Sequence, residues 1–165
     1  MTHVDLRTLR LAPGDHRRLE VPVTISPFTA GAQEYRAEPS EVQAQLGLTR
    51  LAGGLLFDLA FDVGIVGPCQ RCLQDARELV EVRAREYQAD IPEVDDEETT
   101  PYLEGERLDV DRWATDGSIL ALPIVIRCRD DCAGLCPQCG ADRNLVACAC
   151  EPPKDERWER LRELL

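Results

Sequence analysis

The chain is 165 residues long, with 44% hydrophobic but only 5% aromatic residues and a single Met, which suits one compact domain with small appendages and a core of Val, Leu, Ile and Ala. A formal net charge of −12 argues against wrapping nucleic acid over a broad basic surface and leaves room only for local phosphate contacts. No apolar run approaches the roughly 18 residues of a membrane span, and residues 1–13 lack the unbroken apolar stretch of a signal peptide, so a cytoplasmic location is expected.

Residues 1–17 carry His3, His16, Arg7, Arg10 and Arg17 with weak periodicity, which predicts an arm or edge segment leading into a first strand at about 18–25. Pro22 has no N–H to donate to a central ladder, so that strand belongs at a sheet edge. Val42, Ala44, Leu46 and Leu48 alternate with polar or small residues in the period of a half-buried strand, and 52–54 supply the turn after it. The clearest run follows: Leu55, Phe57, Leu59, Phe61, Val63 and Ile65 share one face, with Asp58, Asp62 and Gly64 on a wet side. Alternation resumes with Val80, Val82 and Ala84, which puts Cys69-Gln70-Arg71-Cys72 at a hairpin tip.

Acidic residues crowd the stretch from Asp90 to Asp111 against a single Arg107, which predicts a mobile loop over 90–108. It suits a solvated linker, a mimic of RNA phosphates or a docking strip for a basic protein. Val110, Trp113, Ala114, Gly117, Leu120 and Ala121 then mark a helical face, with Asp109 as N-cap and Pro123 ending the helix, which should cover the open side of the sheet. Gly117 stands where a better helix former is expected and predicts a looser helix. After Pro152-Pro153, Trp158, Leu161 and Leu165 recur as in a short amphipathic helix.

Eight cysteines in a reducing compartment point to metal instead of disulfides. Cys69-x2-Cys72 and Cys136-x2-Cys139 each place two sulfurs on one tight turn, as a tetrahedral zinc ion requires at about 2.3 Å. Gly140 follows the second pair where such a turn demands a positive φ. Cys148 and Cys150 complete a local set of four, leaving Cys69 and Cys72 to join Cys128 and Cys132 in a second site. Spacing alone also lets Cys132 replace one of the later ligands, so one or two zinc ions are expected. Cys-x2-Cys is also the spacing of thiol oxidoreductases, whose reactive sulfur sits at a helix N-terminus. Strand patterns flank Cys69 and Cys72, and both histidines lie in the N-terminal arm, so no catalytic machinery is expected.

The run Pro68-Cys69-Gln70-Arg71-Cys72-Leu73, the acidic stretch, Leu120-Ala121-Leu122-Pro123 and the segment from Asp131 through Cys132, Gly134, Cys136 and Gly140 to Asn144 resemble the YceD family over about 15–160. The resemblance implies a role in accumulation or processing of large-subunit ribosomal RNA, without enzymatic activity, and carries Cys69 and Cys72 over as the shared motif. On that basis Arg71, Arg127, Arg129 and Arg143 are the candidate RNA contacts, Arg71 foremost because a rigid knuckle would hold it. The rival reading is an acidic module that binds a basic ribosomal protein or an assembly factor without touching RNA. The expected architecture is α+β: a β-rich body over 1–125 built on a barrel-like antiparallel meander with a covering helix, a zinc-binding segment at 126–152 and a C-terminal helix at 153–165.

Overall fold

Alternation over 55–65 and again over 80–84 gives two stretches of chain continuous apolar faces, and they form the longest hairpin of the fold. The computed structural model describes residues 2–91 and 99–150. In chain order the elements are β1 (His3–Asp5), a 3-10 turn (Leu6–Leu9), β2 (His16–Thr24), β3 (Phe28–Ala30), β4 (Gln33–Ala37), β5 (Glu41–Arg50), β6 (Gly54–Pro68), β7 (Asp75–Ala89), β8 (Leu103–Glu104), β9 (Arg107–Asp109) and α1 (Val110–Ala121). The expected C-terminal helix over 153–165 lies outside the described residues.

β6 and β7 pair antiparallel from Gly54 opposite Ala89 to Pro68 opposite Asp75, so Phe61 meets Val82 and Val63 meets Val80 inside the core. The other edge of β6 has two partners. β5 takes its first half, with Leu46 opposite Leu59 and Leu48 opposite Phe57, and β4 takes over where Ala37 faces Ile65. This change of partner splits the sheet along β6, with β2 extending one branch and β3 the other. Among the described residues β2 pairs only with β5, the edge position that Pro22 requires.

The expected barrel does not close. Among the described residues β2 and β7 do not pair, and α1 packs against both. Val110, Trp113 and Ala114 are buried on that side. Gly117 has a packing reason that outweighs its weak helix propensity: a Cβ there would lie 3.0 Å from Val82 Cγ1, so glycine lets helix and strand approach closely. Leu120, expected on the buried face, is 85% exposed. It lines an open groove of about 410 Å³ edged by Glu81, Arg83 and Arg85 of β7.

The expected mobile loop over 90–108 contains strands. β8 and β9 make a hairpin across Gly105, whose φ is +61°, and β9 pairs with β1, so the N-terminal arm is a strand of a second, three-stranded sheet. Residues 92–98 lie outside the described set. The described acids serve the fold: Asp90 grips Arg50 through two 2.7 Å hydrogen bonds, and Asp109 caps α1 by accepting from the Arg112 N–H at 3.0 Å. Asp111 is buried, and its carboxylate accepts from the Thr2 N–H at 2.6 Å and the Thr24 N–H at 2.8 Å. That single side chain pins the N-terminus and the end of β2 to the helix. Asp111→Ala is expected to cost about 2–3 kcal/mol, the value of losing a charged acceptor with its donors left behind. Urea unfolding would measure it, and a loss below about 0.5 kcal/mol would contradict this anchoring role.

Candidate metal centres

The hairpin tip between β6 and β7 is a knuckle. Cys69 N–H donates to Gln74 O at 2.8 Å and Leu73 N–H returns to Cys69 O at 2.9 Å, which folds Cys69 and Cys72 onto one side. The turn needs a left-handed residue after its second cysteine. Gly140 fills that place in the later knuckle at φ +72°, as the sequence predicts, whereas Leu73 fills it here at φ +63°. Leucine carries a Cβ penalty in that conformation which glycine escapes.

The tip docks on the chain that follows α1. Gln70 donates its backbone N–H to Ile126 O at 3.0 Å and its side-chain amide to Ile124 O at 2.7 Å. Ile126 is fully buried there. Cys128 and Cys132 arrive beside the knuckle, with Cys69 Sγ 3.9 Å from Cys132 Sγ and Cys72 Sγ 3.6 Å from Cys128 Sγ. Disulfide sulfurs would lie at about 2.05 Å, and all eight cysteines are free thiols. Sulfurs at 2.3 Å from a tetrahedral ion stand about 3.8 Å apart, so the observed spacing fits a metal.

The structure groups the sulfurs into two sets, Cys69 with Cys72, Cys128 and Cys132, and Cys136 with Cys139, Cys148 and Cys150, each within 4.8 Å of one another. Cys132, which spacing left open to either set, stands in the first. Both sets can hold a metal ion, and their all-thiolate chemistry selects a soft or borderline cation.

The two knuckles share an electrostatic design. Burial pushes the Cys69 thiol up, but amides of Cys128, Cys72 and Arg71 outweigh it and bring the thiol down to about 6. Amides of Cys139 and Gln138 bring Cys136 to about 6 as well, against its desolvation. Each set also contains a reluctant member. Desolvation and the neighbouring sulfurs push Cys128 up to about 12, and Cys139 leads the groups that push Cys150 up to about 12. Four anions cannot coexist at this spacing without a cation, so an incoming metal must displace protons.

A second layer of contacts joins the sets. Arg71 Nη1 donates to Cys132 O at 2.7 Å, and Arg71 O accepts from the Leu135 N–H at 2.9 Å. Gly134, at φ +73°, passes so close that a Cβ would lie 2.9 Å from Arg71 O. Gly134→Ala is therefore expected to cost about 1–2 kcal/mol from backbone conformation alone, with steric displacement of the tip in addition. Amide shifts spreading from residue 134 to residues 70–72 would report it, and shifts confined to 133–135 would contradict it.

Of the four candidate RNA-contacting arginines, all are exposed, but two also work within the chain. Arg71 holds Cys132 O, and Arg129 donates to Asn144 Oδ1 at 2.7 Å and pairs with Asp131 at 3.3 Å. Arg127 and Arg143 flank the first set and the Asn144 loop. Sequence reasoning gave Asn144 no role, although its side chain donates to Cys132 Sγ at 3.4 Å. Only its place in a shared motif signalled it, since an amide bonding to a sulfur twelve residues away leaves no periodicity.

Residues 57–165 match the family model described as "Large ribosomal RNA subunit accumulation protein YceD". Curated relatives include the uncharacterized protein Mb2951c of Mycobacterium bovis and the uncharacterized proteins MT2996 and Rv2926c of Mycobacterium tuberculosis, each 39% identical over 110 residues. Those alignments cover 61% of this chain and 50% of each relative, so the chain spans about half the length of the curated relatives it matches. No solved structure matches.

Proposed function

This chain belongs to the YceD family, and from that premise we propose that it supports the accumulation of large-subunit ribosomal RNA as a non-catalytic scaffold stapled by two zinc ions. The observation that carries this reading is the pair of four-cysteine sets, one of which ties the β6–β7 tip to the chain after α1. Zinc suits them because it is tetrahedral and redox-inert, and four sulfurs leave no open position for a substrate or an activated water. The centres shape a surface and do no chemistry on it.

Arg71 and Arg129 bond within the tip and tail that the cysteines hold, Arg127 and Arg143 neighbour them in sequence, and a rigid support lowers the entropy cost of gripping RNA phosphate with a guanidinium. Arg127 and Arg143 are the first candidates for contact, because Arg71 and Arg129 spend N–H groups on Cys132 O and Asn144. The net charge of −12 then acts as a filter, repelling RNA that does not offer the right local site. A cytoplasmic location follows from this reading, and among the described residues no helix is long and apolar enough to cross a membrane.

Crosslinking in cells, read at the level of residues, tests the proposal. Crosslinks from residues 126–150 to large-subunit ribosomal RNA are expected, and loss of the protein should lower that RNA relative to small-subunit RNA. The second reading, an acidic module for a basic ribosomal protein or an assembly factor, is favoured by the charge balance. It predicts crosslinks to protein alone, and that result would replace the first reading.

A further inference from the structure

Resting on the metal reading above, the geometry points to Asn144 as a positioning residue that couples the two centres, so that filling the second tightens the first. Asn144 lies between Cys139 and Cys148, in the loop that the second set closes. The loop is held on its own side: Cys136 N–H donates to Ala141 O at 2.8 Å, Leu135 bridges Asp142, and Asn144 N–H donates to Asp142 Oδ1 at 2.9 Å. The side chain bridges that side and the other centre. Its Nδ2 donates one proton to Asp142 Oδ1 at 2.7 Å and the other to Cys132 Sγ at 3.4 Å. Its Oδ1 accepts from the Ala133 N–H at 2.8 Å and from Arg129 Nη2 at 2.7 Å, which fixes which way the amide points.

An N–H aimed at a ligating thiolate spreads its charge and orients the sulfur, and losing such a partner typically weakens a metal site about 10- to 100-fold. Here the donor's position depends on a loop that the second metal organises. Occupancy of one centre is thereby linked to affinity at the other, and linkage makes the effect equal in both directions. Gly134 and Arg71 O bring the two halves into contact, and Asn144 carries the coupling from loop to sulfur.

Cobalt(II) titration of the full chain tests this, because sulfur-to-cobalt charge transfer reports each thiolate. The unsubstituted protein should take two cobalt ions cooperatively. Asn144→Ala should separate the steps, weakening one ion about 10- to 100-fold and moving its charge-transfer band to lower energy, since a sulfur without its N–H donor gives up an electron more readily. The other ion, still held tightly, shows in the same sample that the chain is folded. Cys139→Ser/Cys148→Ser should weaken the first centre by a similar factor, and adding Asn144→Ala to it should change little further. Two cobalt ions bound by Asn144→Ala with unchanged affinities and spectrum would overturn the coupling and leave the metal reading standing. A protein that takes up no cobalt would overturn the metal reading itself.

Discussion

Removal of bound metal by a strong chelator is expected to release residues 126–150 from the body while β5, β6 and β7 stay paired. Beyond its cysteines this segment buries little apolar surface of its own, chiefly Ile126, and its ordered backbone contacts include one isolated bridge between Leu135 and Asp142. Fixing each residue costs about 1–2 kcal/mol of backbone entropy, which so small a core cannot offset. A structural zinc site supplies about 10–16 kcal/mol. The body needs no such help, because Leu46, Leu48, Phe57, Leu59 and Val63 are buried in one continuous core. Hydrogen exchange would show it: the amides of Gln70 and Leu135, whose bonds tie tip and tail together, and those of Cys136 and Arg143, whose bonds fold the tail on itself, should lose protection on chelation. Those between β5 and β6 should keep theirs. Uniform loss across both regions, or none in either, would contradict the division.

The largest effect of a single core substitution is expected at Trp113, where Trp113→Ala should destabilise the metal-loaded protein by about 3–5 kcal/mol. Trp113 is 1% exposed and stacks on Tyr102 at a centroid distance of 5.9 Å, while Tyr102 Oη donates to Asp116 at 3.1 Å. The indole therefore joins α1 both to the sheet and to the chain just before β8. Typical domains hold only about 5–15 kcal/mol in total, so the loss would consume a large part of it. Denaturant unfolding followed by far-ultraviolet circular dichroism would measure the change, and a shift under about 1 kcal/mol would mean that the helix is peripheral.

Much of the candidate site was legible because its parts are local. A Cys-x2-Cys spacing writes its own turn, so both knuckles and the left-handed Gly140 could be read without knowing where the chain goes. The β6–β7 hairpin was equally plain, since alternation over so many residues has one cheap burial solution. The β3–β4 hairpin was not. Its turn uses Gly31 and Ala32 at positive φ without the Asn-Gly or Asp-Gly signal, and Phe28 stacking on Tyr35 is a pairing made in three dimensions.

The strands with strong period, the two knuckles, the cap at Asp109 and the family can all be read from the residues alone, because each is encoded within a few neighbouring residues. It takes the folded chain to place Cys132 with Cys69, to put Leu73 in a glycine-like conformation, to pair β1 with β9 and to carry the Asn144 amide across to the other centre. Such contacts depend on the path of the chain between distant segments, and spacing along a sequence carries no record of that path.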